Sequence, residues 1–474
     1  MCGGYTNMKN KLFSIITKVQ ILLLMFIFLV CGVFAANIPA PTVGSITNQV
    51  NALITPNPSG LDAFQKYPVS QGRTLWDYIP NHGLGLDAYE WINSNANTSV
   101  TWLTNQSTLS FQNWSNGVSR TAYQSRSWNA YIPGKGFRCL QTASIPFTST
   151  SANMIIRWGP FSDDNGLFWI CSNGVMGVGI RSKTSGSVVE TITYQNQWNV
   201  DNMLGGNSVA STNASGLTLN PQIGNIYGIL AQWLGYGKVQ FIVNYGGQNI
   251  IVHYFDHSGS NAVYTGTMTQ PIRWEVQNIG SITGTNGINL TCATVISDGA
   301  DDYDTLRRPT FYYQNQRGVS GITTGGECVI AIRQKQVYNG ITNRVVITPL
   351  FYQLKSSTPA SVGSSGVIQY SPTLSAGTWF SPPSIGGFSS GAEICTNCTL
   401  ITPGVYIDGT FLNNAANSGV GASINTANNS AELHRYPISN DNSGTNQTQV
   451  IGIIMFSDTG SITGYGGIQW SEAW

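Results

Sequence analysis

Ile226-Tyr227-Gly228-Ile229-Leu230-Ala231-Gln232-Trp233 runs through Gly235-Tyr236-Gly237-Lys238 into Val239-Gln240-Phe241-Ile242-Val243-Asn244. Gly246-Gly247-Gln248-Asn249 then leads into Ile250-Ile251-Val252-His253-Tyr254-Phe255. Three runs of strand length, joined by tight glycine turns, predict an antiparallel meander over 226–256. Downstream, Ile272, Trp274 and Val276 alternate with Arg273, Glu275 and Gln277, the pattern of a strand with one buried and one wet face. Ile288, Leu290, Cys292, Thr294 and Ile296 continue that period. A polar, acidic break at 298–304 follows, and beyond it a second β-rich region holds Cys328–Ile332, Val345–Tyr352, Val367–Tyr370 and Val450–Phe456. No heptad and no fixed-period repeat is present. The pattern predicts an all-β sandwich followed by a smaller β domain.

Composition agrees. Only 9% of the 474 residues are charged, against about 25% in ordinary soluble domains, so few residues remain for long amphipathic surface helices. A formal charge of +1 lacks the basic footprint of a nucleic-acid binder, and no nucleic-acid partner is expected. Plentiful aromatic and β-branched residues exclude disorder throughout.

Residues 1–36 read as a leader. Lys9, Lys11 and Lys18 precede an uncharged apolar run from Ile21 to Ala36, and Val33-Phe34-Ala35 places small residues where a signal peptidase reads them. The run is short for a bilayer span of about 20 residues, so a cleaved signal peptide is preferred and an uncleaved membrane anchor is the alternative. Either way the rest is expected to be exported or lumenal, with the membrane engaged only through this segment. Residues 37–99, opening on a Pro/Asn/Thr/Ser stretch, read as an N-terminal arm or linker. In an exported chain Cys139, Cys171, Cys292, Cys328, Cys395 and Cys398 are candidates for disulfides, three bridges in all, with connectivity open. Asn97, Asn105, Asn113, Asn213, Asn289, Asn397, Asn428 and Asn446 lie in glycosylation sequons, in a chain so rich in Asn, Ser and Thr that chance yields a similar number.

Motifs for catalysis are weak. Gly387-Phe388-Ser389-Ser390-Gly391 fits Gly-x-Ser-x-Gly but sits in a Ser/Gly-rich loop rather than a strand–turn–helix elbow. His253 and His257 lie about 13 Å apart on an extended strand, too far to share a metal. Asp163-Asp164-Asn165-Gly166 and Asp301-Asp302-Tyr303-Asp304 are oxygen-rich without EF-hand spacing. They read as solvated turns, with a loop-assembled Ca²⁺ site the alternative and no other cofactor or metal expected. Gly134-Lys135-Gly136 lacks the spacing of a P-loop. Trp158, Trp169, Trp198, Trp233 and Trp274 lie in strand patterns and are expected in the core. Trp91, Trp102 and Trp114 lie in polar surroundings and are the candidates for stacking on a sugar ring or a partner.

A longer succession carries a resemblance. Ser125-Arg126-Ser127-Trp128 leads into Tyr131-Ile132-Pro133-Gly134-Lys135-Gly136, then Asp163-Asp164-Asn165-Gly166-Leu167-Phe168-Trp169 and Ser185-Gly186-Ser187-Val188-Val189-Glu190-Thr191. Gln195-Asn196-Gln197-Trp198-Asn199, Gln232-Trp233-Leu234-Gly235-Tyr236-Gly237-Lys238 and Pro271-Ile272-Arg273-Trp274-Glu275-Val276-Gln277-Asn278 follow in order. This succession resembles virion structural proteins of large DNA viruses, in aquatic tailed phages and in giant viruses of protists. The resemblance implies a concanavalin-like, lectin-like jelly roll over 100–305, followed by the β domain at 306–474. It implies a structural role without an assigned enzyme activity, and it carries no catalytic residues. The leader and the cysteines depart from the phage members and fit a giant virus whose surface protein passes through a membrane compartment.

The function expected from sequence is therefore a particle-surface or capsid-associated structural protein that serves in host attachment. It would self-associate and contact other virion proteins and glycans. A secreted carbohydrate-binding adhesin is the alternative, and a glycoside-active enzyme the third reading.

Overall fold

The computed structural model describes residues 72–83, 89–92, 97–125, 128–146, 152–206, 213–299, 308–357, 362–375, 377–412, 423–425, 436–438 and 449–473. The leader, Asp301–Asp304, Asn428 and Asn446 lie outside these. Among the described residues the regular elements are strands and two short 3₁₀ turns, and no helix is long and apolar enough to cross a membrane.

Fifteen strands build the first sandwich: β1 Arg73–Tyr78, β2 Tyr89–Ile92, β3 Thr98–Leu103, β4 Thr108–Asn113, β5 Ser119–Ser125, β6 Phe137–Ser144, β7 Met154–Pro160 and β8 Gly166–Ser172. They continue as β9 Val175–Ser182, β10 Val189–Tyr194, β11 Asn225–Ala231, β12 Val239–Tyr245, β13 Gln248–Phe255, β14 Ile272–Asn278 and β15 Asn286–Ser297. One sheet runs β13-β12-β11-β6-β15-β4-β3 with β1 added on β15, and the other runs β10-β9-β8-β7-β14-β5-β2. The chain crosses repeatedly between them, as a jelly roll does. The predicted meander is β11-β12-β13, antiparallel throughout. Strands β1 and β2 come from the span 37–99, so part of that span is sheet rather than arm.

Between the sheets Trp158, Trp169, Trp198 and Trp274 are fully buried with Tyr227 and Phe241. Trp169 meets Trp198 and Phe241 edge-on, at 5.8 and 5.5 Å, a favoured aromatic geometry. Two readings of strand phase need correction. On β14, Arg273 and Glu275 were to face water, yet both are 0% exposed. On β15 the inward period holds for Ile288 and Leu290, but the register shifts between Leu290 and Ala293. Ala293 and Val295 then turn inward, and Cys292, Thr294 and Ile296 face the other way. An inserted residue reverses side-chain phase because a strand's period is two.

The second sandwich packs a five-stranded sheet, centred on Ile462–Ala473 and Val346–Ser357, against a six-stranded one centred on Glu327–Gln334 and Val450–Ser457. Phe311 stacks on Trp470 at 5.8 Å in its core. Gly464 and Gly466 let the closing strand Ile462–Ala473 lie close on Val329 and Ile330, where an added Cβ would come within 2.9 and 2.8 Å of their side chains.

The cysteines are the other correction. Cys395 and Cys398 form a disulfide, whereas Cys139, Cys292 and Cys328 are free thiols and Cys171 packs as a small apolar core side chain. Cys139 on β6 and Cys171 on β8 both pack in the first core, Cys292 on β15 faces away from it, and Cys328 lies in the second sandwich in the same small cluster as the Cys395–Cys398 bridge. Burial pushes the Cys328 thiol up to about 12, which leaves it unreactive.

Candidate ligand-binding cleft

The turn between β11 and β12 decides where Trp233 goes. Gln232 N–H donates to Lys238 O and Gly237 N–H to Trp233 O, and a Cβ on Gly237 would lie 1.5 Å from Gln232 O. This tight closure lifts Trp233 off the strand, so it is half-buried rather than in the core as its sequence pattern predicts. Its indole N–H donates to Thr265 O at 3.3 Å, and Tyr131 meets it edge-on at 5.5 Å. Tyr131 is held by the neighbouring segment: its N–H donates to Thr269 Oγ1, and Asn129 N–H donates to Gln270 O.

Opposite stands the hairpin of Val337–Tyr338 and Ile341–Thr342. Asn339 and Gly340, both at positive φ, make the Asn-Gly turn that a two-residue hairpin favours. Tyr338 Oη donates to Ser389 O at 2.6 Å. Asn343 Nδ2 donates to Gly391 O, and Asn343 Oδ1 accepts from Val345 N–H. Arg344 Nη1 donates to Gly266 O at 3.0 Å, joining the two sandwiches. Together these walls enclose a cleft of about 330 Å³ lined by Tyr131, Trp233, Met268, Tyr338, Ile341, Asn343 and Arg344, among others. It opens to solvent past exposed Pro133, Asn339 and Ile341. Its size and its mainly apolar walls with a few fixed polar groups are those of small-ligand sites. No carboxylate lies among its lining residues.

The other concentration of charge lies on the outer face of the β10–β2 sheet. Glu275 Oε1 accepts from Arg157 Nη1 and Arg181 Nη2, both at 3.0 Å, and Oε2 from Arg120 Nη2 at 2.6 Å. Glu190 accepts from Arg157 and Arg181, and Asp163 from Arg120 and Arg273. The Phe161 ring caps the cluster, with the Arg181 and Arg273 guanidinium carbons 4.9 and 5.6 Å from its centre. Burial alone would raise the Glu275 carboxyl, but Arg181, Arg273, Arg120 and Arg157 outweigh it and hold the group far below the usual carboxylate range. Asp163 is lowered in the same way, Arg273 and Arg120 overcoming its burial. Two carboxylates close together here, Glu190 and Glu275, share Arg181. A glycosidase acid needs a raised pKa, and Glu275 is pushed the other way.

The sequence candidates are dispersed. Trp102 packs on the first core, its indole N–H donating to Pro80 O. Trp114 is 43% exposed, beyond the end of β4. Trp91 lies on β2 in the opposite sheet, and its side chain lies outside the described residues. Trp102 pairs with Leu109, whereas Trp114 follows Asn113, which pairs with Thr98, so the two sit at opposite ends of the β3–β4 hairpin. Asn113 and Asn213 are buried, and Asn113 bonds Ser119, Ser115 and Asn278, which leaves no room for a glycan. Asn97, Asn105 and Asn397 are exposed, and Asn289 is half-buried.

In the Asp163-Asp164-Asn165 turn, Asp163 Oδ1 accepts from Arg120 and Arg273, Asp164 Oδ1 from Lys183, and Asn165 Oδ1 from Gly266 N–H. His253 accepts from Asn199 N–H through Nδ1, and burial lowers it to about 4. Ser389 lies in a loop, and its neighbour Ser390 donates to buried Glu472. Sequence reasoning passed over Arg344 and the Tyr338 hairpin, and it placed Trp233 in the core. The Asn339-Gly340 turn between Val337-Tyr338 and Ile341-Thr342 was the available signal.

No protein-family model matches the chain, and no curated protein matches it. Among solved structures it is similar to a Bacteroides ovatus protein described as xyloglucan PUL GH43B, with 14% identity and a TM-score of 0.28, over 48% of this chain and 40% of that one. It is also similar to a legume lectin-like domain from Entamoeba histolytica, with 8% identity and a TM-score of 0.28, over 44% of this chain and 90% of that one. A third is the carbohydrate recognition domain of Emp47p, with 10% identity and a TM-score of 0.30, over 49% and 99%.

Proposed function

We propose that this chain is a glycan-binding surface protein without enzyme activity, and that the cleft between its sandwiches is the ligand site. The supporting observation is the set of three aromatic side chains, Tyr131, Trp233 and Tyr338, around one opening, with Asn343 and Arg344 as fixed polar groups beside them. Sugar rings present apolar C–H faces that stack on such rings and hydroxyls that need oriented polar partners. The absence of a carboxylate from the described lining weighs against glycosidic cleavage at this site, which requires a pair of acids. The protein then works by holding a glycan rather than by cutting it.

A glycan array probed with the full chain tests this. We expect a defined set of oligosaccharides to bind, and Trp233→Ala to weaken them at least ~10-fold, the equivalent of about 1.4 kcal/mol. Binding untouched by Trp233→Ala would move the site elsewhere.

The setting we propose is the surface of a virus particle, on the strength of the resemblance across 125–300. Mass spectrometry of purified particles should find the chain. Its absence there, together with secretion, would favour a free adhesin.

A further inference from the structure

We infer that the glycan is acidic, its carboxylate or sulfate lying against Arg344. This rests on the cleft being the glycan site and names the class of sugar it selects. Arg344 lines the cleft half-buried, and its hydrogen bond at Nη1 goes to a neutral acceptor, Gly266 O. Among the described residues no carboxylate stands within ion-pairing distance of it. The acid whose charge reaches it, Asp164, is itself bonded to Lys183 at 2.9 Å. A second cation borders the same wall: Lys335 Nζ donates to Ser390 O, 5.8 Å from the centre of the Tyr338 ring.

The contrast with five other arginines carries the argument. Arg120, Arg157, Arg181, Arg273 and Arg333 each meet a carboxylate of the chain. Among the described residues Arg344, the arginine at the cleft, meets none. Burying a guanidinium without a counter-charge is costly, and burial lowers the proton affinity of Arg344. A ligand anion removes that cost on binding, and the fork geometry of the guanidinium suits a carboxylate or sulfate. Glycine at 266 keeps the approach open, since a Cβ there would lie 3.2 and 3.4 Å from Arg344 Nη1 and Nη2.

Paired probes test this on the full chain: oligogalacturonate against its methyl ester, sialyllactose against lactose, and a sulfated oligosaccharide against its desulfated form. At least one acidic member should bind about 10-fold or more tighter than its neutral partner. Its advantage should shrink as salt rises. Arg344→Gln should abolish the preference while leaving weak neutral binding, and Arg344→Lys should keep part of it. The carboxylate and sulfate pairs show which anion is taken. Should Arg344→Gln fail to fold, the Arg344→Lys variant and the salt dependence decide. Equal binding of both members, still lost in Trp233→Ala, would overturn the acidic class and leave the glycan site standing. A preference that survives Arg344→Gln would also overturn it. Failure to bind any acidic or neutral glycan would remove the glycan site itself.

Discussion

Glu275 shows how far one residue's chemistry can be hidden by a correct strand assignment. Its alternation with Trp274 and Val276 is legible, and it fixes the face on which Glu275 lies. What the sequence does not state is that Arg120, Arg157 and Arg181 from three other strands converge on that face. The available hint was a single arginine in each of several apolar runs, such as Ile156-Arg157-Trp158 and Ile180-Arg181. Register, not local pattern, brings Arg157 opposite Glu275 and Arg181 opposite Glu190. Removing the anion strands buried cations, so Glu275→Gln should destabilise the fold by about 3–5 kcal/mol. Urea unfolding measures this, and a change under about 1 kcal/mol would mean that the cluster is not coupled to folding. The pH dependence has a definite sign. The Glu275 carboxyl is lower in the folded state than in the unfolded one, so its contribution is complete above the unfolded value of about 4.3. It is lost as pH falls below that toward the depressed folded value. Wild-type stability should therefore drop on acidification below about pH 4, and Glu275→Gln should flatten that limb.

Among the elements, the meander was the easiest to read because glycine turns and β-branched runs agree with each other. The closing strand Ile462–Ala473 was the hardest. Its Gly464, Gly466 and Gly467 look like loop, yet they are where Val329, Ile330 and Tyr312 press against the backbone. Gly466→Ala should cost about 1–3 kcal/mol through overpacking, seen as a lower melting temperature. An unchanged melting temperature would show that the two sheets can part without penalty. The β15 bulge is a subtler case. Cys292 and Ile296 fit the inward period in the sequence, and only the inserted residue in the ladder turns them away.

For the whole molecule, the sequence conveyed an all-β architecture, while the binding site emerges only from assembly. Trp91, Trp102 and Trp114 stand out along the chain because their neighbours are polar. Trp233 and Tyr338 do not, because Trp233 sits in a run that reads as strand and Tyr338 lies between such runs, and they meet only when the two sandwiches pack. The thiols follow the same rule: the positions that assembly gives them, not an even number, decide which cysteines pair. Under denaturing, non-reducing conditions alkylation should label Cys139, Cys292 and Cys328 and spare Cys395 and Cys398, as peptide mapping would read. A bridge joining Cys139 or Cys328 to another cysteine would contradict this pairing.

The account rests most heavily on where a ligand sits. Hydroxyl-radical footprinting of the full chain, with and without a glycan selected from the array, reports this directly. Protection of Trp233, Tyr131 and Tyr338, with Trp102 and Trp114 unchanged, is the predicted result. Protection confined to Trp114, or to any surface away from the cleft, would contradict it.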